Sequence, residues 1–215
     1  MVCIITHGYR PGKNGSSAPA TTSGHWTVRS AHFTLCHVNI VLIGLRGTGK
    51  TVCGKLLAQR LGWSFVDTDE VVRERSGMNI REIFAAEGEA GFREREAAVV
   101  REVAAVDGAV IATGGGAILD SRNTTVLRQR GFVVHLAAHP ETLWKRISTD
   151  PQSAATRPVL TRTGGGLREI ERLCDERAGA YCAARDVEVS VEHRVPEQVV
   201  SAIQLLLRVR GIQAP

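Results

Sequence analysis

The chain has 215 residues, of which 43% are hydrophobic and 23% are charged, values typical of a globular protein with a sizeable core. No apolar run approaches the roughly 20 residues that a membrane-spanning helix needs, so no membrane partner is expected. The net charge is +5, but residues 1–36 hold basic residues and no acidic one. The rest of the chain is nearly balanced, and no nucleic-acid partner is therefore predicted from the charge.

Residues 1–36 differ in composition from the remainder of the chain. They are rich in Gly, Ser, Thr, Pro and Ala without helical or strand periodicity, which predicts a disordered extension ahead of one domain over residues 37–215. The extension lacks the continuous apolar stretch of a secretory signal. A transit peptide and a start codon assigned too far upstream both fit its basic, serine-rich character, and the sequence leaves both alternatives open.

The cysteine pattern indicates reduced thiols. The 5 cysteines are odd in number and contain no C-x-x-C pair, so neither a disulfide framework nor a zinc site is predicted. Reduced thiols favour a cytoplasmic location for the protein.

A phosphate-binding loop is the strongest local signal. A strand-like apolar run over residues 38–43 leads into G-x-x-x-x-G-K-T, and a helix-patterned segment follows. Glycines let successive backbone N–H groups face a phosphate, and the helix presents its positive N-terminal end. The pattern predicts that Lys50 contacts the β- and γ-phosphates and that the Thr51 hydroxyl binds Mg²⁺; a glycine-rich turn without a ligand is the alternative. The expected nucleotide contacts in the loop are Arg46, Gly47, Thr48, Gly49, Lys50 and Thr51.

Two carboxylates end the next predicted strand, a short buried run over residues 63–69. Asp67 and Asp69 would lie where the carboxyl ends of strands in an open parallel sheet bind ligands. In a phosphoryl-transfer enzyme one such carboxylate serves Mg²⁺ and another orients the nucleophilic hydroxyl. The alternative is that Asp69 only caps the following helix.

A helical pattern over residues 70–106 is interrupted at Gly88 and Gly91, and a second helix is predicted to begin at Phe92. Arg93 and Glu96 lie three residues apart in it, so they share a face and Glu96 can hold Arg93 in a fixed pose. The alternative for such a charged pair is an ordinary solvated surface.

Three consecutive glycines follow a third strand, predicted over residues 109–113. Gly114, Gly115 and Gly116 have no side chain to pack and are costly in backbone entropy, which indicates a close approach of the backbone to a ligand. Alternating helices and strands follow, predicted over residues 120–130, 132–136, 140–149, 168–185, 187–191 and 196–209. This order predicts an α/β fold with a five-stranded parallel sheet covered on both faces.

Residues 150–167 are predicted to form a long functional loop. The segment contains prolines, glycines and little periodicity, and loops of this length in a compact domain are usually functional or disordered. In a kinase such a loop would be a lid that closes over the nucleotide, excludes water and brings Arg157 to the transferred phosphoryl group.

Six sequence blocks occur in the order and spacing of the shikimate kinases. They are GLRGTGKT, FVDTDEVV, IREIFAAEGEAGFREREAAVV, VIATGGGAIL, RPVL and ERAGAY. The chain therefore resembles this family over about residues 38–208. The resemblance implies a three-layer P-loop kinase fold of the nucleoside-monophosphate-kinase type, with a helical substrate-binding subdomain over about residues 69–97 and a mobile lid over about residues 150–167.

The resemblance also implies a reaction and the residues that carry it. Shikimate kinases transfer the γ-phosphoryl of MgATP to the 3-hydroxyl of shikimate in aromatic amino-acid (chorismate) biosynthesis, and the resemblance suggests a monomer. The implied catalytic residues are Lys50, Asp69 and Arg157, and Thr51 and Asp67 would hold Mg²⁺. The implied shikimate contacts are Asp69, two arginines that clamp the carboxylate and the glycine run: Arg93, Arg177, Gly114, Gly115 and Gly116. Arg157 would contact the ATP phosphates from the lid.

Two positions depart from the family pattern. Many members have serine and then threonine after the lysine of the phosphate loop, where this chain has Thr51 and Val52, so the hydroxyl for the metal is kept. No arginine between Arg146 and Arg157 matches the adenine-stacking residue of some relatives, and Arg146 itself stays unassigned.

Two other functions remain as alternatives. A kinase for another small hydroxy acid, such as quinate or gluconate, would use the same pair of clamping arginines. A module that senses nucleotide and substrate without turnover would bind through the same loop, but it would not require the full set of catalytic residues found in this chain.

Overall fold

The computed structural model of the chain describes residues 38–150 and 166–212. The predicted extension over residues 1–36 and Arg157 of the predicted lid lie outside the described residues. None of the helices in the two described ranges is long and apolar enough to cross a membrane.

Five parallel strands form one sheet, as predicted, in the order β2-β3-β1-β4-β5. The strands are β1 (Asn39–Ile43), β2 (Ser64–Asp67), β3 (Ala109–Ala112), β4 (Gly131–Ala137) and β5 (Val187–Ser190). Strand β1 pairs with β3 on one side and with β4 on the other. The chain therefore reverses its direction across the sheet beside β1, and ligands bind at the carboxyl ends of strands at such a switch point.

Helices cover both faces of this sheet. They are α1 (Lys50–Leu61), α2 (Thr68–Ser76), α3 (Ile80–Ala104), α4 (Ser121–Arg130), α5 (Pro140–Ser148), α6 (Leu167–Ala184) and α7 (Pro196–Val209). Alternate residues of β1 point to opposite faces: Ile40 and Leu42 pack with α1 and α7, whereas Val41 and Ile43 pack with the helices of the other face. The result is the predicted three-layer arrangement.

Helix α3 is interrupted at Gly88, which is one of the two glycines where a break was predicted. Gly88 has φ 72° and ψ −177°, which is not helical, and the helix resumes directly after it. Gly91 lies inside the resumed helix. The break therefore comes before the residue expected to begin the second helix, Phe92.

Strand β2 is shorter and more exposed than the predicted buried run over residues 63–69. It is an edge strand, so one side has no neighbour, and its residues are half-buried or exposed. Asp69 belongs to the first turn of α2, and Asp67 is the residue that caps this helix: its Oδ1 accepts from the Asp69 backbone N–H at 3.1 Å. The alternative that Asp69 serves as the cap is therefore wrong.

Candidate active site

A cavity of about 470 Å³ lies around the phosphate loop and the ends of β2 and β3. Its lining contains these predicted site residues: Arg46, Gly47, Gly49, Lys50, Thr51, Asp67, Asp69 and Gly115. The fold thus brings together the phosphate loop, both carboxylates and one glycine of the run from three separate segments of the chain.

The phosphate loop curls around its own lysine. The Lys50 ammonium donates to the carbonyl oxygens of Gly44 at 2.7 Å and Leu45 at 3.0 Å. Gly49 is the N-cap of α1 with φ 84°, and no side chain caps this helix. The positive end of α1 and the Lys50 charge therefore lie together at one wall of the cavity, where they favour an anion.

Thr48 differs from its neighbours in the loop. Its side chain is buried, and both its hydroxyl and its backbone N–H donate to the Leu45 carbonyl, at 2.8 and 3.3 Å. This side chain closes the turn of the loop, and its predicted contact with a nucleotide stays a prediction.

The glycine run is needed because charged side chains pack directly against its backbone. A β-carbon at Gly114 would lie 2.6 Å from both Asp69 Oδ1 and Glu96 Oε1, and one at Gly116 would lie 2.6 Å from Arg93 Nη2. Any larger residue would displace these groups. Carboxylates and a guanidinium of the site therefore pack against this backbone, and its predicted contact with a ligand stays a prediction.

Arg93 and Glu96 form a largely buried pair, so the solvated-surface alternative is wrong. Arg93 Nη1 donates to Glu96 Oε2 at 2.8 Å, and only 1% of the Glu96 side chain is exposed. Arg93 Nη2 also donates to Glu89 at 3.2 Å. These contacts hold the guanidinium against Gly116, as the spacing of the pair predicted.

Arg177 approaches the same glycine run from α6. Its Nη1 donates to the Gly115 carbonyl at 3.1 Å. The two predicted clamp arginines therefore contact consecutive glycines, although neither is among the described residues that line the large cavity.

The comparison with protein-family models decides the family. The model described as shikimate kinase matches residues 46–208. The chain belongs to the shikimate kinase family. A shikimate kinase of Symbiobacterium thermophilum is 47% identical over 81% of this chain and 98% of its own length, and that of Moorella thermoacetica is 45% identical over 79% and 94%.

Solved shikimate kinases share the fold of this family member. The Acinetobacter baumannii enzyme in complex with shikimate has a TM-score of 0.76 and 32% sequence identity, and it covers 82% of this chain and 96% of its own. The Aquifex aeolicus shikimate kinase has a TM-score of 0.69 and 35% identity, covering 81% and 99%. Because the chain belongs to this family, it is an ATP-dependent kinase.

Several residues that were not assigned a role from the sequence also line the cavity of this kinase. They are Val52, Arg73, Ile80, Thr113, Arg146, Ile147 and Asp150. Arg73 lies one helical turn after Asp69 on α2, a spacing that could have indicated it. Arg146 donates to the carbonyls of Gly47 and Val191, both at 3.2 Å, and this contact between the phosphate loop and the segment after β5 could only be found in the fold.

The side chains at the loop end of α1 and the end of β2 suit Mg²⁺. The Thr51 hydroxyl donates to Asp67 Oδ2 at 2.7 Å, and both residues line the cavity beside Lys50. Mg²⁺ prefers oxygen ligands and usually keeps several waters and substrate phosphates, so a hydroxyl and one carboxylate are a sufficient protein contribution. Within residues 38–150 and 166–212 no cluster of three or more His, Cys, Asp or Glu could hold a metal alone.

Glu96→Gln is expected to make the stability of this kinase less dependent on pH. Burial raises the pKa of the Glu96 carboxyl from 4.5 to about 7, against the opposing charge of Arg93. The folded chain therefore holds this proton more tightly than the unfolded chain, and the resulting stabilisation is complete below pH 4.5 and is lost as the pH rises through 7. Between about pH 5 and pH 8 the wild type should lose about 2 kcal/mol more unfolding free energy than the variant.

Urea unfolding at both pH values measures this difference. Glu74→Gln on α2 is the matched control, because Glu74 is an exposed carboxylate. An equal loss of stability in the wild type and in Glu96→Gln would contradict the raised pKa of Glu96.

Proposed function

We propose that this chain transfers the γ-phosphoryl of MgATP to the 3-hydroxyl of shikimate and releases ADP and shikimate 3-phosphate. One arrangement supports the proposal. The phosphate loop with Lys50 and the cluster formed by Asp69, Arg93 and Arg177 meet at the glycine run over residues 114–116. The related Acinetobacter baumannii enzyme, which binds shikimate, supports the same substrate here.

On the nucleotide side, Lys50 and the start of α1 bind the phosphates. Lys50 lies at the cavity wall and already donates to two backbone carbonyls, so its charge is held where the β- and γ-phosphates would lie. Thr51 and Asp67 would hold Mg²⁺, which neutralises charge on the phosphates when it is bound. Arg157, which lies outside the described residues, completes this proposal from the lid over residues 150–167.

On the substrate side, Asp69 orients the hydroxyl that attacks. The oxygen of the 3-hydroxyl forms a bond to the γ-phosphorus, and the bond from that phosphorus to the bridging oxygen of ADP breaks with its electrons on ADP. The hydroxyl proton goes to Asp69, whose carboxylate is buried at the wall of the cavity and lies beside Gly114. Most of the catalysis is then positioning and electrostatics.

Arg93 and Arg177 bind the carboxylate of shikimate. Guanidinium groups suit this task because their planar donors match both oxygens of a carboxylate. Arg93 is held by Glu96 and Glu89, and Arg177 is held by the Gly115 carbonyl. Both guanidinium groups are therefore already fixed before the substrate binds. The substrate-binding region over about residues 69–97 belongs to this proposal, as do a cytoplasmic location and a monomer.

Arg93→Ala is expected to raise the KM for shikimate by about 10- to 100-fold with a smaller effect on kcat. The loss of a charged hydrogen bond of 1.5–3 kcal/mol to the carboxylate accounts for this range. Arg95→Ala is the matched control, because Arg95 lies on the same helix and pairs with Glu87 at the surface. Steady-state kinetics with both substrates measures the effect, and an equal rise in the KM for shikimate in both variants would argue against the clamp.

ADP release by the purified protein with MgATP tests the proposed function as a whole. Release should be stimulated strongly by shikimate and not by quinate or gluconate. Equal stimulation by quinate or gluconate would indicate that the enzyme acts on another hydroxy acid. Nucleotide binding without stimulation by any of the three would favour a sensing module instead.

A further inference from the structure

One backbone carbonyl joins the proposed substrate clamp to a buried tyrosine. The Gly115 oxygen accepts from Arg177 Nη1 at 3.1 Å and from the Tyr181 hydroxyl at 2.6 Å. Arg177 and Tyr181 lie four residues apart on α6, so they share one face of the helix. Tyr181 has no role among the predicted site residues.

The tyrosine is fixed in place from its other side. Its side chain is 3% exposed, and its ring stacks on His135 of β4 with centroids 4.5 Å apart and planes within 7°. His135 is itself held, because its Nδ1 lies 3.0 Å from the Glu188 carboxylate of β5. Burial raises the pKa of the Tyr181 hydroxyl, so it stays a protonated donor at every physiological pH.

The Gly115 carbonyl, which Tyr181 holds, lies between the phosphate loop and the proposed substrate clamp. Gly115 lines the large cavity, and a β-carbon there would lie 3.4 Å from the Gly44 carbonyl and 3.5 Å from the Arg46 backbone N. A rotation of the Gly115 peptide would remove the oxygen that holds Arg177.

We propose that Tyr181 is a positioning residue for substrate binding: its hydroxyl fixes the Gly115 carbonyl and, through that oxygen, the orientation of Arg177. The tyrosine ring is kept in place by its stack on His135, which is itself held by a hydrogen bond with Glu188. This inference rests on the proposed function for its effect on shikimate, but the fixing of the glycine run does not depend on the substrate.

Tyr181→Phe tests the inference, because it keeps the ring on His135 and removes only the hydroxyl. The KM for shikimate should rise about 3- to 10-fold, the range expected for one lost hydrogen bond, with the KM for ATP unchanged. Amide hydrogen exchange should also become faster by a similar factor at Ala117 and Leu119, which donate to Gly114 and Gly116 at 3.1 and 3.0 Å. Thr125→Val is the control, because it removes a hydroxyl-to-carbonyl hydrogen bond on α4.

The outcomes separate this inference from the proposed function. An unchanged KM for shikimate in an active Tyr181→Phe variant would overturn it, and so would an equal rise in both KM values, which indicates general loosening. If the wild type does not phosphorylate shikimate, the proposed function fails, and hydrogen exchange still decides the positioning role. Exchange rates at residues 114–119 equal to those of the wild type would then overturn the inference, and faster exchange would support it.

Discussion

Asp69→Asn is expected to lower kcat by about 10²- to 10⁴-fold, the range that a positioned acid or base contributes. The side chain is 7% exposed, and its Oδ1 lies against Gly114 beside Glu96. Asparagine has the same size, so the packing at Gly114 is kept while the negative charge and the ability to accept a proton are lost. Steady-state kinetics with a separate measurement of shikimate binding would separate the chemical effect from weaker affinity.

The control for this variant is Asp175→Asn, which neutralises an exposed carboxylate on α6. Its kcat should stay within about twofold of the wild type, as is usual for a surface substitution. Near-normal turnover of Asp69→Asn would show that Asp69 neither orients the hydroxyl nor accepts its proton. The nucleophile would then have to be oriented by other groups at the glycine run.

Lys50→Ala is expected to lower kcat by about 10²- to 10³-fold, the usual cost of removing one group that stabilises developing charge. The Lys50 ammonium is held in the phosphate loop by the carbonyls of Gly44 and Leu45, at 2.7 and 3.0 Å. The variant therefore loses the positive charge at the cavity wall and two contacts that shape the loop. The KM for ATP should rise together with the fall in kcat.

Lys55→Ala separates these effects from a general loss of positive charge on α1. Lys55 lies on the same helix but is exposed, with its Nζ 5.9 Å from the Phe65 ring centroid. Thermal unfolding of both variants shows how far the loop contacts of Lys50 contribute to stability. A Lys50→Ala enzyme that keeps more than a tenth of the wild-type kcat would remove Lys50 from the proposed catalytic residues.

Local patterns in the sequence were enough to predict the elements of the fold. The start of α7 at Pro196 depends on the backbone preference of a single residue, and it lies where it was expected. The spacing of Arg93 and Glu96 likewise predicted their contact, because three residues bring two side chains to one helix face. The burial of that pair was not predictable, since it depends on what packs over α3.

The roles of the two carboxylates after β2 show where local reasoning fails. The sequence placed Asp67 and Asp69 at the end of a strand, with Asp69 as the possible cap of the next helix. The structure assigns the cap to Asp67, which also accepts from Thr51, 16 residues before it in the chain. Which aspartate caps the helix depends on the direction in which α2 leaves the sheet. This direction cannot be predicted from the local sequence around the two aspartates.

The sequence by itself determined the phosphate loop, the alternation of strands and helices and hence a parallel α/β sheet, because these features depend on backbone conformation and side-chain periodicity over short stretches. Only the tertiary structure decided the strand order, the burial of Glu96 and the packing of charged side chains against the glycine run. The shared use of the Gly115 carbonyl by Arg177 and Tyr181 was decided there too. The two contacts with Gly115 join residues more than 60 positions apart. The energies of all these contacts depend on burial and distance, which arise only when the helices pack on the sheet.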